Sequence, residues 1–425
     1  MSERETITAN MENNDKEQLQ LERLQTTLNR ACRNVPFHSN RLAEANLSGI
    51  TAIEDLAALP FMDRRHLATH YPYGLFAVPL RDIVRIHTAP GTGVNPSISG
   101  YTRTDLMIWE KLVAKSYTEA GVTNADIILI HLPGGLANWA RDYKDGGEAI
   151  GAGVIPNSPL SISKTLMVTR DYKVTTLVTT PAFARHFMDF IFDQAYNPNE
   201  LNLKHIILVG EPDDGKTISE LRDRLYVDVW LNYGLSEIPG PAIAYECRYH
   251  EGLHINDDHI LPEIINPSTG KPVQPGEEGE LVLTTLSARA FPLIRFRTGD
   301  MARIITAPCP CGSHFTRIQW LTERADDYMI ISGIKVSEPQ IRESLTKILG
   351  MASLDCTMKR VCQAGAEMLM ICIAMDDHLF SDEIKGLERL VSGAEDSLSE
   401  QCGIKVKIRL VQQREPQVIS DTILS

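Results

Sequence analysis

The residues with the clearest chemical potential lie in one stretch of the chain, between positions 232 and 300. Near its start, Tyr233-Gly234-Leu235-Ser236-Glu237 follows a strand-like run and offers an aromatic ring and a carboxylate. At its end, Thr298-Gly299-Asp300 offers a second carboxylate. A ring can stack on a base, carboxylate oxygens can bind a divalent cation, and a second carboxylate can accept hydrogen bonds from both ribose hydroxyls. This combination predicts a nucleotide-dependent enzyme, although the pentapeptide alone also fits an ordinary strand-to-helix turn.

A second group of residues could bind a metal ion through sulfur and nitrogen. Its members are Cys247, His254, Cys309 and Cys311. Three thiolates and an imidazole make the closed tetrahedral set that is typical of structural zinc. His250 and His314 are rival nitrogen ligands, and unligated thiols are the alternative to a metal. No open coordination position is evident, so the predicted role of the zinc is structural.

Composition limits the class of protein. The chain has 425 residues, 43% of them hydrophobic and 23% charged, as in an ordinary globular protein. A formal net charge of -13 argues against nucleic acid as the main partner. No apolar run approaches the ~20 residues of a membrane span, and the polar, acidic N-terminus resembles no export signal. We therefore expect a cytoplasmic protein that does not bind membranes, with its eight cysteines outside any disulfide framework.

The order of segments predicts an α/β fold with two unequal domains. From residue 104, helical stretches alternate with short β-rich runs, which predicts a layered domain with a largely parallel sheet. After residue 240, turns and β runs predict an antiparallel β subdomain over about 240–322. From residue 326 the pattern predicts a β-α-β-β-α-β module of ferredoxin-like type. The expected divisions are a disordered tail over 1–16, an N-terminal domain over 17–325 and a C-terminal domain over 326–425.

Several motifs in a fixed order resemble the phenylacetate–CoA ligase branch of the adenylate-forming superfamily, which also includes nonribosomal adenylation domains and luciferases. They are YGLSE, GLH-x-x-x-DH-x-LPEI, GE-x-GELV-x-TTL, PLIR-x-RTGD and R-x-DD-x-x-II-x-G. The resemblance extends, more weakly, from about residue 20 to the C-terminus. It implies a carboxylate-activating ligase that forms an acyl- or aryl-adenylate from a carboxylic acid and MgATP and then transfers the acyl group to CoA. It also implies a homodimer.

The resemblance assigns roles to individual residues. Tyr233, followed by Gly234, would pack on adenine, and Glu237 would hold Mg²⁺ between phosphate oxygens. Gly210-Glu211-Pro212 matches the adenine-side turn of the family.

The second half of the nucleotide site would come from later residues. Asp300 and Arg324 are the ribose and phosphate candidates, although a turn aspartate and a solvated arginine are the alternatives. The first Asp of R-x-DD, here Asp326, is the expected hinge of a mobile C-terminal domain.

The phosphate loop departs from the family pattern SSGTTGKP. Gly91, Thr92 and Gly93 could still present amides and a hydroxyl to a phosphate. Asn95 replaces the usual lysine, and Pro90 lacks an N–H donor. A plain turn is the alternative interpretation of this loop.

The C-terminal tail lacks the catalytic lysine that the family carries near its last strand, since residues 414–421 read REPQVISD. Lys335, where the branch more often has Asn, is a conceivable substitute, and a solvated strand-end lysine is the alternative. Loss of such a cation weakens phosphoryl-type chemistry. Two other functions therefore stay open: an amide synthetase with an amine acceptor, and a catalytically weakened adenylate-binding protein.

The predicted acyl pocket is also unusual. Relatives carry an aromatic and glycine-rich stretch where this chain has GLANWARDYKDGGE, residues 135–148. Charged groups would disfavour a bare phenylacetate because their desolvation is costly. The substrate is therefore expected to be a polar or aromatic carboxylic acid, more polar than phenylacetate and, for example, amino- or hydroxy-substituted, unless the segment is a surface loop.

Overall fold

The structure is a computed structural model in which most of the chain is described. The described residues are 13–44, 49–89, 97–158, 160–238, 240–350, 354–363, 366–375 and 384–412. The first helix begins at Asn13, so the prediction of a disordered tail over 1–16 is wrong for residues 13–16. Lys16 anchors this end because its ammonium donates to Asp257 Oδ2 at 3.0 Å and to the carbonyl of His314 at 2.8 Å.

The N-terminal region, residues 13–325, contains most of the regular structure. Its helices are α1 (Asn13–Asn34), α2 (Pro36–Arg41), α3 (Arg64–Thr69), α4 (Arg103–Glu119), α5 (Ala137–Ala149), α6 (Ile162–Asp171), α7 (Pro181–Asp193) and α8 (Lys216–Leu225). Short 3-10 helices cover Ile53–Ala58, Leu80–Asp82, Gly134–Leu136 and Pro198–Glu200. Its strands are β1 (Arg85–Ala89), β2 (Ser97–Tyr101), β3 (Ile127–Ile130), β4 (Gly153–Ile155), β5 (Thr176–Thr179), β6 (His205–Val209), β7 (Asp228–Tyr233), β8 (Ala244–Glu246), β9 (Leu253–Ile255), β10 (Ile260–Ile265), β11 (Gly279–Thr285), β12 (Phe296–Ile305) and β13 (Arg317–Arg324).

One 11-stranded sheet organises this region, in the order β10-β11-β12-β13-β9-β8-β7-β6-β5-β3-β4. The five strands from β7 to β4 are parallel, as the strand–helix alternation predicts. Strand β5 is buried at all four positions, and β6 at all but its first residue. Such continuous apolar runs are typical of parallel strands that are covered on both faces. The predicted α/β fold class is therefore confirmed.

The antiparallel strands extend the same sheet. Strand β8 pairs with β7 through Asn232↔Tyr245 and Tyr233↔Ala244, and β9 then pairs with β8 and β13. The predicted β subdomain thus exists as strands, but backbone hydrogen bonds make it continuous with the parallel half. This continuity matters for function because it places β12 and β13 beside the end of β7.

The C-terminal region, from residue 326, has its own buried core of aliphatic side chains. Its elements are β14 (Tyr328–Ile331), β15 (Ile334–Ser337), α9 (Glu338–Leu349), β16 (Cys356–Gln363), β17 (Ala366–Met375), α10 (Ile384–Cys402) and β18 (Val406–Gln412). The run YMIISGIKV is a hairpin of two strands rather than the single predicted strand, because Ser332 and Gly333 turn the chain with φ of 50° and 74°. Strands β16, β17 and β18 form a separate three-stranded sheet.

Among the described helices, none is both long enough and apolar enough to cross a membrane.

Candidate active site

The two motifs that are predicted to bind a nucleotide meet at the end of the parallel strands. Tyr233, the last residue of β7, is fully buried. Its hydroxyl donates to Asp300 Oδ2 at 2.9 Å, and its ring meets Trp320 edge-on with 4.7 Å between centroids. The carboxyl end of parallel strands is where open α/β sheets bind ligands. The structure therefore brings together residues that are 67 positions apart in the chain.

Asp300 is held by the pairing of β12 with β13, which sets it opposite Arg324. The Arg324 guanidinium donates to Asp300 Oδ1 and to both carboxylate oxygens of Asp326, the latter at 2.7 Å each. Burial opposes ionisation of Asp300, but Lys335 and Arg324 outweigh it and hold the pKa of Asp300 below its usual value. The predicted ribose, phosphate and hinge residues thus form one charged group.

Glu237 faces this group across the turn that follows β7. Its Oε1 accepts from Arg64 Nε at 2.6 Å, whereas its buried Oε2 has no hydrogen-bond partner among the described residues. Burial alone would raise the pKa of Glu237, but Arg64 and Lys335 lower it. An ionised carboxylate with one oxygen that accepts no hydrogen bond from the described residues is a suitable ligand for a hard divalent cation.

Arg64 is a functional candidate that the sequence interpretation missed. It is the first residue of α3, whose N-cap Asp63 accepts from the backbone amides of Arg65 and His66. The Arg64 guanidinium donates to Glu237, to Asp326 Oδ2 at 3.1 Å and to the carbonyl oxygen of Thr298 at 2.8 Å. It therefore links these three residues. The sequence offers only the capping aspartate as a signal, since nothing local shows which arginine points inward.

Lys335, on β15, enters the same group from the C-terminal region. Its Nζ lies 3.5 Å from Asp300 Oδ2, so the solvated lysine considered as an alternative is wrong. The side chain keeps 18% of its surface exposed, but Nζ itself is shielded from solvent. Burial, and then Arg64, lower the pKa of Lys335 to about 8. Three cations and three carboxylates are thus gathered here: Arg64, Arg324, Lys335, Glu237, Asp300 and Asp326.

The four predicted metal ligands also come together. Their donor atoms all lie within 4.8 Å of one another, with 3.6 Å between the sulfurs of Cys247 and Cys309 and 3.5 Å between Cys311 Sγ and His254 Nε2. The rival His250 instead contacts Glu246 at 3.1 Å. Three thiols and one imidazole in a compact group suit the tetrahedral preference of zinc.

Comparison with known proteins identifies the family. Residues 150–287 match the model of the AMP-binding enzyme family. The chain is 37% identical over 340 residues to a phenylacetate-coenzyme A ligase of Pseudomonas putida, an alignment that covers 79% of this chain and 77% of the relative. The chain belongs to the phenylacetate–CoA ligase branch of the adenylate-forming superfamily. It is an AMP-forming acid–thiol ligase: it activates a carboxylic acid as an acyl-adenylate with ATP and transfers the acyl group to CoA.

Solved structures show the same fold. The crystal structure of 2-hydroxyisobutyryl-CoA ligase in complex with 2-HIB-AMP and CoA in the thioesterification state superimposes with a TM-score of 0.88, at 21% identity, over 98% of this chain and 90% of that one. The same protein in the postadenylation state gives 0.70, at 20% identity, over 97% and 89%. The predicted CoA ligase is confirmed, whereas the two alternative functions gain no support.

The turn Gly210-Glu211-Pro212, which is predicted to lie on the adenine side, contacts the C-terminal region of the ligase. Gly210 has a φ of 95°, and Glu211 Oε2 accepts from Arg360 of β16 at 2.6 Å. Burial, together with Glu367, raises the pKa of Glu211 to about 7 although Arg360 opposes it. The assignment of Gly210-Glu211-Pro212 to adenine stays a prediction. The loop candidates Gly91, Thr92 and Gly93, and the lysine-free tail, lie outside the described residues.

The predicted acyl segment of the ligase is helix α5 and not a surface loop. Its Trp139 is buried, and a Cβ added at Gly234 would lie 3.2 Å from the tip of this indole. Asp142 pairs with Arg85 at 2.9 Å, and Lys144 pairs with Glu148 at 2.7 Å. Among these residues the group nearest the Tyr233 turn is therefore an aromatic ring, and Asp142 and Lys144 pair with residues outside that turn.

Proposed function

We propose that the ligase binds its nucleotide in the charged group at the end of β7. Tyr233 lines the adenine position, Asp300 accepts from the ribose hydroxyls, and Arg324 neutralises phosphate charge. The observation that carries this proposal is the direct contact between Tyr233 and Asp300, with Glu237 facing them. Thr92 and the glycines beside it are assigned to the phosphates by resemblance alone.

A magnesium ion would be held by Glu237. This residue fits the ion because its buried Oε2 makes no hydrogen bond within the described structure, while Arg64 keeps the carboxylate ionised. When bound, the metal supplies positive charge to the phosphate oxygens during adenylation. Arg64 and Arg324 supply further positive charge from the chain itself.

The C-terminal region is proposed to be a domain that rotates about Asp326, so that residues 17–325 and 326–425 form the two moving bodies. In support, this region has a separate core. Asp326 is held by side-chain contacts to Arg64 and Arg324, which can break when the domain turns. This chain superimposes better on 2-hydroxyisobutyryl-CoA ligase in its thioesterification state than in its postadenylation state. The difference in TM-score supports an arrangement of the C-terminal region that is suited to thioester formation.

Zinc is proposed as a structural ion bound by Cys247, His254, Cys309 and Cys311. It would join β8, β9 and the turn before β13, since the four ligands come from these segments. Metal analysis of the purified protein tests this directly, and a chain without stoichiometric zinc would refute it.

The acid is proposed to be aromatic and to carry no polar substituent besides its carboxylate. Trp139 beside Gly234 supports an apolar contact, and the pairing of Asp142 with Arg85 removes the main reason to expect a polar acid. Pyrophosphate release with matched aryl, hydroxy-aryl and amino-aryl acids tests this. A signal confined to the amino- or hydroxy-substituted acids would restore the original prediction.

The experiment that tests the nucleotide site compares ATP–pyrophosphate exchange in the wild type, Asp300→Asn and Glu237→Gln. We expect exchange to fall about 10²-fold or more in both variants, and undiminished exchange in both would refute the site. Adding CoA or an amine to the same reaction and analysing the product identifies the acceptor. Homodimer formation and cytoplasmic location stay predictions.

A further inference from the structure

The β14–β15 hairpin carries one cation of the C-terminal region into the proposed nucleotide site. Lys335 pairs with Ile330 across this hairpin, and its neighbours Gly333 and Ile334 lie close to Leu136 and Gly135 of the N-terminal region. A Cβ added at Gly135 would overlap the Ile334 side chain, and one added at Gly333 would lie 2.6 Å from Leu136. The hairpin therefore packs tightly against the N-terminal region. This packing fixes the position from which Lys335 reaches Asp300.

The ammonium of Lys335 is buried without a hydrogen bond to any described residue. Asp300 and Glu237 attract it, whereas Arg64 and Arg324 repel it. A buried cation with unsatisfied donors is costly. An anionic ligand that offers oxygen atoms would satisfy these donors, and the unpartnered Glu237 Oε2 faces the same group of charges. The position between the proposed ribose and metal carboxylates is where a phosphate joined to the ribose would lie.

The sequence offers few other lysines for this task. No lysine follows Lys407, and the predicted phosphate loop has Asn95 where a lysine is usual. Among the described residues, Lys335 is the lysine that forms an ion pair with a carboxylate of the site, and it belongs to the C-terminal region.

We propose that Lys335 is a catalytic residue of the thioester-forming half-reaction, where its ammonium binds the α-phosphate of the acyl-adenylate. The CoA sulfur forms a bond to the acyl carbon, and the bond from that carbon to the phosphate oxygen breaks. The electron pair remains on the oxygen of AMP, and the thiol proton passes to water. Lys335 stabilises the negative charge that develops on AMP as it leaves. This role rests on the proposed nucleotide site.

The test measures each half-reaction separately in the full-length chain. Adenylation is followed by ATP–pyrophosphate exchange, and thioester formation by single-turnover decay of preformed acyl-adenylate after CoA is added. We expect Lys335→Met to slow the CoA step about 100-fold and to change exchange less than about threefold. Lys335→Arg should recover most of the CoA step because it restores the positive charge. Lys347→Met, at an exposed lysine of α9, is the matched control and should change neither.

Each other outcome overturns the role. Equal losses in both half-reactions would show that Lys335 acts only on the structure of the site, and a loss confined to exchange would place it in adenylation. A normal CoA step in Lys335→Met would show that it has no role. Asp300→Asn and Glu237→Gln separate the two proposals: if both retain exchange, the nucleotide site itself is wrong. If they lose exchange while Lys335→Met is normal, only the lysine proposal fails.

Discussion

At the scale of single residues, the site consists of oppositely charged side chains that are buried next to one another. Arg64 is the residue that connects them, because it contacts Glu237 from the turn after β7, Asp326 from the expected hinge and the Thr298 carbonyl of β12. Removing one partner of a buried ion pair leaves the other charge uncompensated, which costs far more than the pair itself contributes.

The first prediction concerns Arg64→Met. We expect ATP–pyrophosphate exchange to fall about 10²-fold and the free energy of unfolding to drop by about 3 kcal/mol, because Glu237 loses its only hydrogen-bonded cation among the described residues. Urea unfolding and the exchange assay measure the two effects. The neighbouring Arg65→Met is the control, since Arg65 is 90% exposed and pairs only with Asp63 within the described structure. Similar losses in both variants would contradict the assignment.

At the scale of elements, the β14–β15 hairpin and the antiparallel half of the sheet position the charged residues of the proposed site. The hairpin turn requires a positive φ at Gly333, and the same glycine lies against Leu136 of the N-terminal region. The hairpin is therefore constrained by its own backbone and by the surface on which it rests.

A second prediction separates these two constraints. Gly333→Ala and Gly350→Ala both place a Cβ at positive φ, but only the former meets Leu136, since a Cβ at Gly350 has no heavy atom within 4 Å. Both variants should lose about 1 kcal/mol of stability from the backbone conformation alone, and Gly333→Ala should lose more because its Cβ meets Leu136. Only Gly333→Ala should slow the CoA-dependent single turnover. An equal rate in the two variants would mean that the hairpin is not seated on Leu136 during thioester formation.

A third prediction concerns the metal ligands. Purified protein should contain about one zinc per chain, and Cys309→Ser should lose it and melt several degrees lower, because the ion joins segments distant in sequence. Elemental analysis and thermal unfolding provide the measurements. Cys362→Ser, at an exposed cysteine of β16, is the control and should retain the metal. Full zinc content in Cys309→Ser would exclude this ligand set.

At the scale of the whole molecule, the N-terminal helices are tied to the sheet by polar side chains buried between them. His38 of α2 is fully buried and contacts the carbonyl of Pro292 at 3.2 Å through Nε2. Burial, and then the neighbouring charges of Arg41 and His70, lower the pKa of His38 to about 3.

A fourth prediction follows from this shift. An unfolded imidazole has a pKa of about 6.5, so between pH 6.5 and 3 the unfolded chain binds a proton that folded His38 does not. The contribution of His38 to the free energy of unfolding is fully present above about pH 6.5. It falls as the pH drops and is lower by about 2 kcal/mol at pH 5. Urea unfolding of His38→Asn should show a weaker acid dependence than the wild type. An acid dependence of His38→Asn equal to that of the wild type would contradict this origin.

The sequence by itself determined the family, the alternation of strands and helices, and the identity of the four candidate zinc ligands. These features are readable because they depend on local residue patterns: a period of strand and helix, a short thiol spacing, and turn motifs in a fixed order. The location of Asp300 beside Tyr233 could be anticipated only through resemblance to the family.

Only the tertiary structure decided that Arg64 and Lys335 enter the site, that β8 joins the two halves of the sheet, and that α5 turns Trp139 toward Gly234. Arg64 and Glu237 are 173 positions apart, so no local pattern links them. Arg64 and Arg65 are equivalent in the sequence, and the packing of α3 against the sheet buries one and exposes the other. Lys335 reaches the site because the β14–β15 hairpin of the C-terminal region packs against the N-terminal region. This is a long-range contact that residue propensities do not encode.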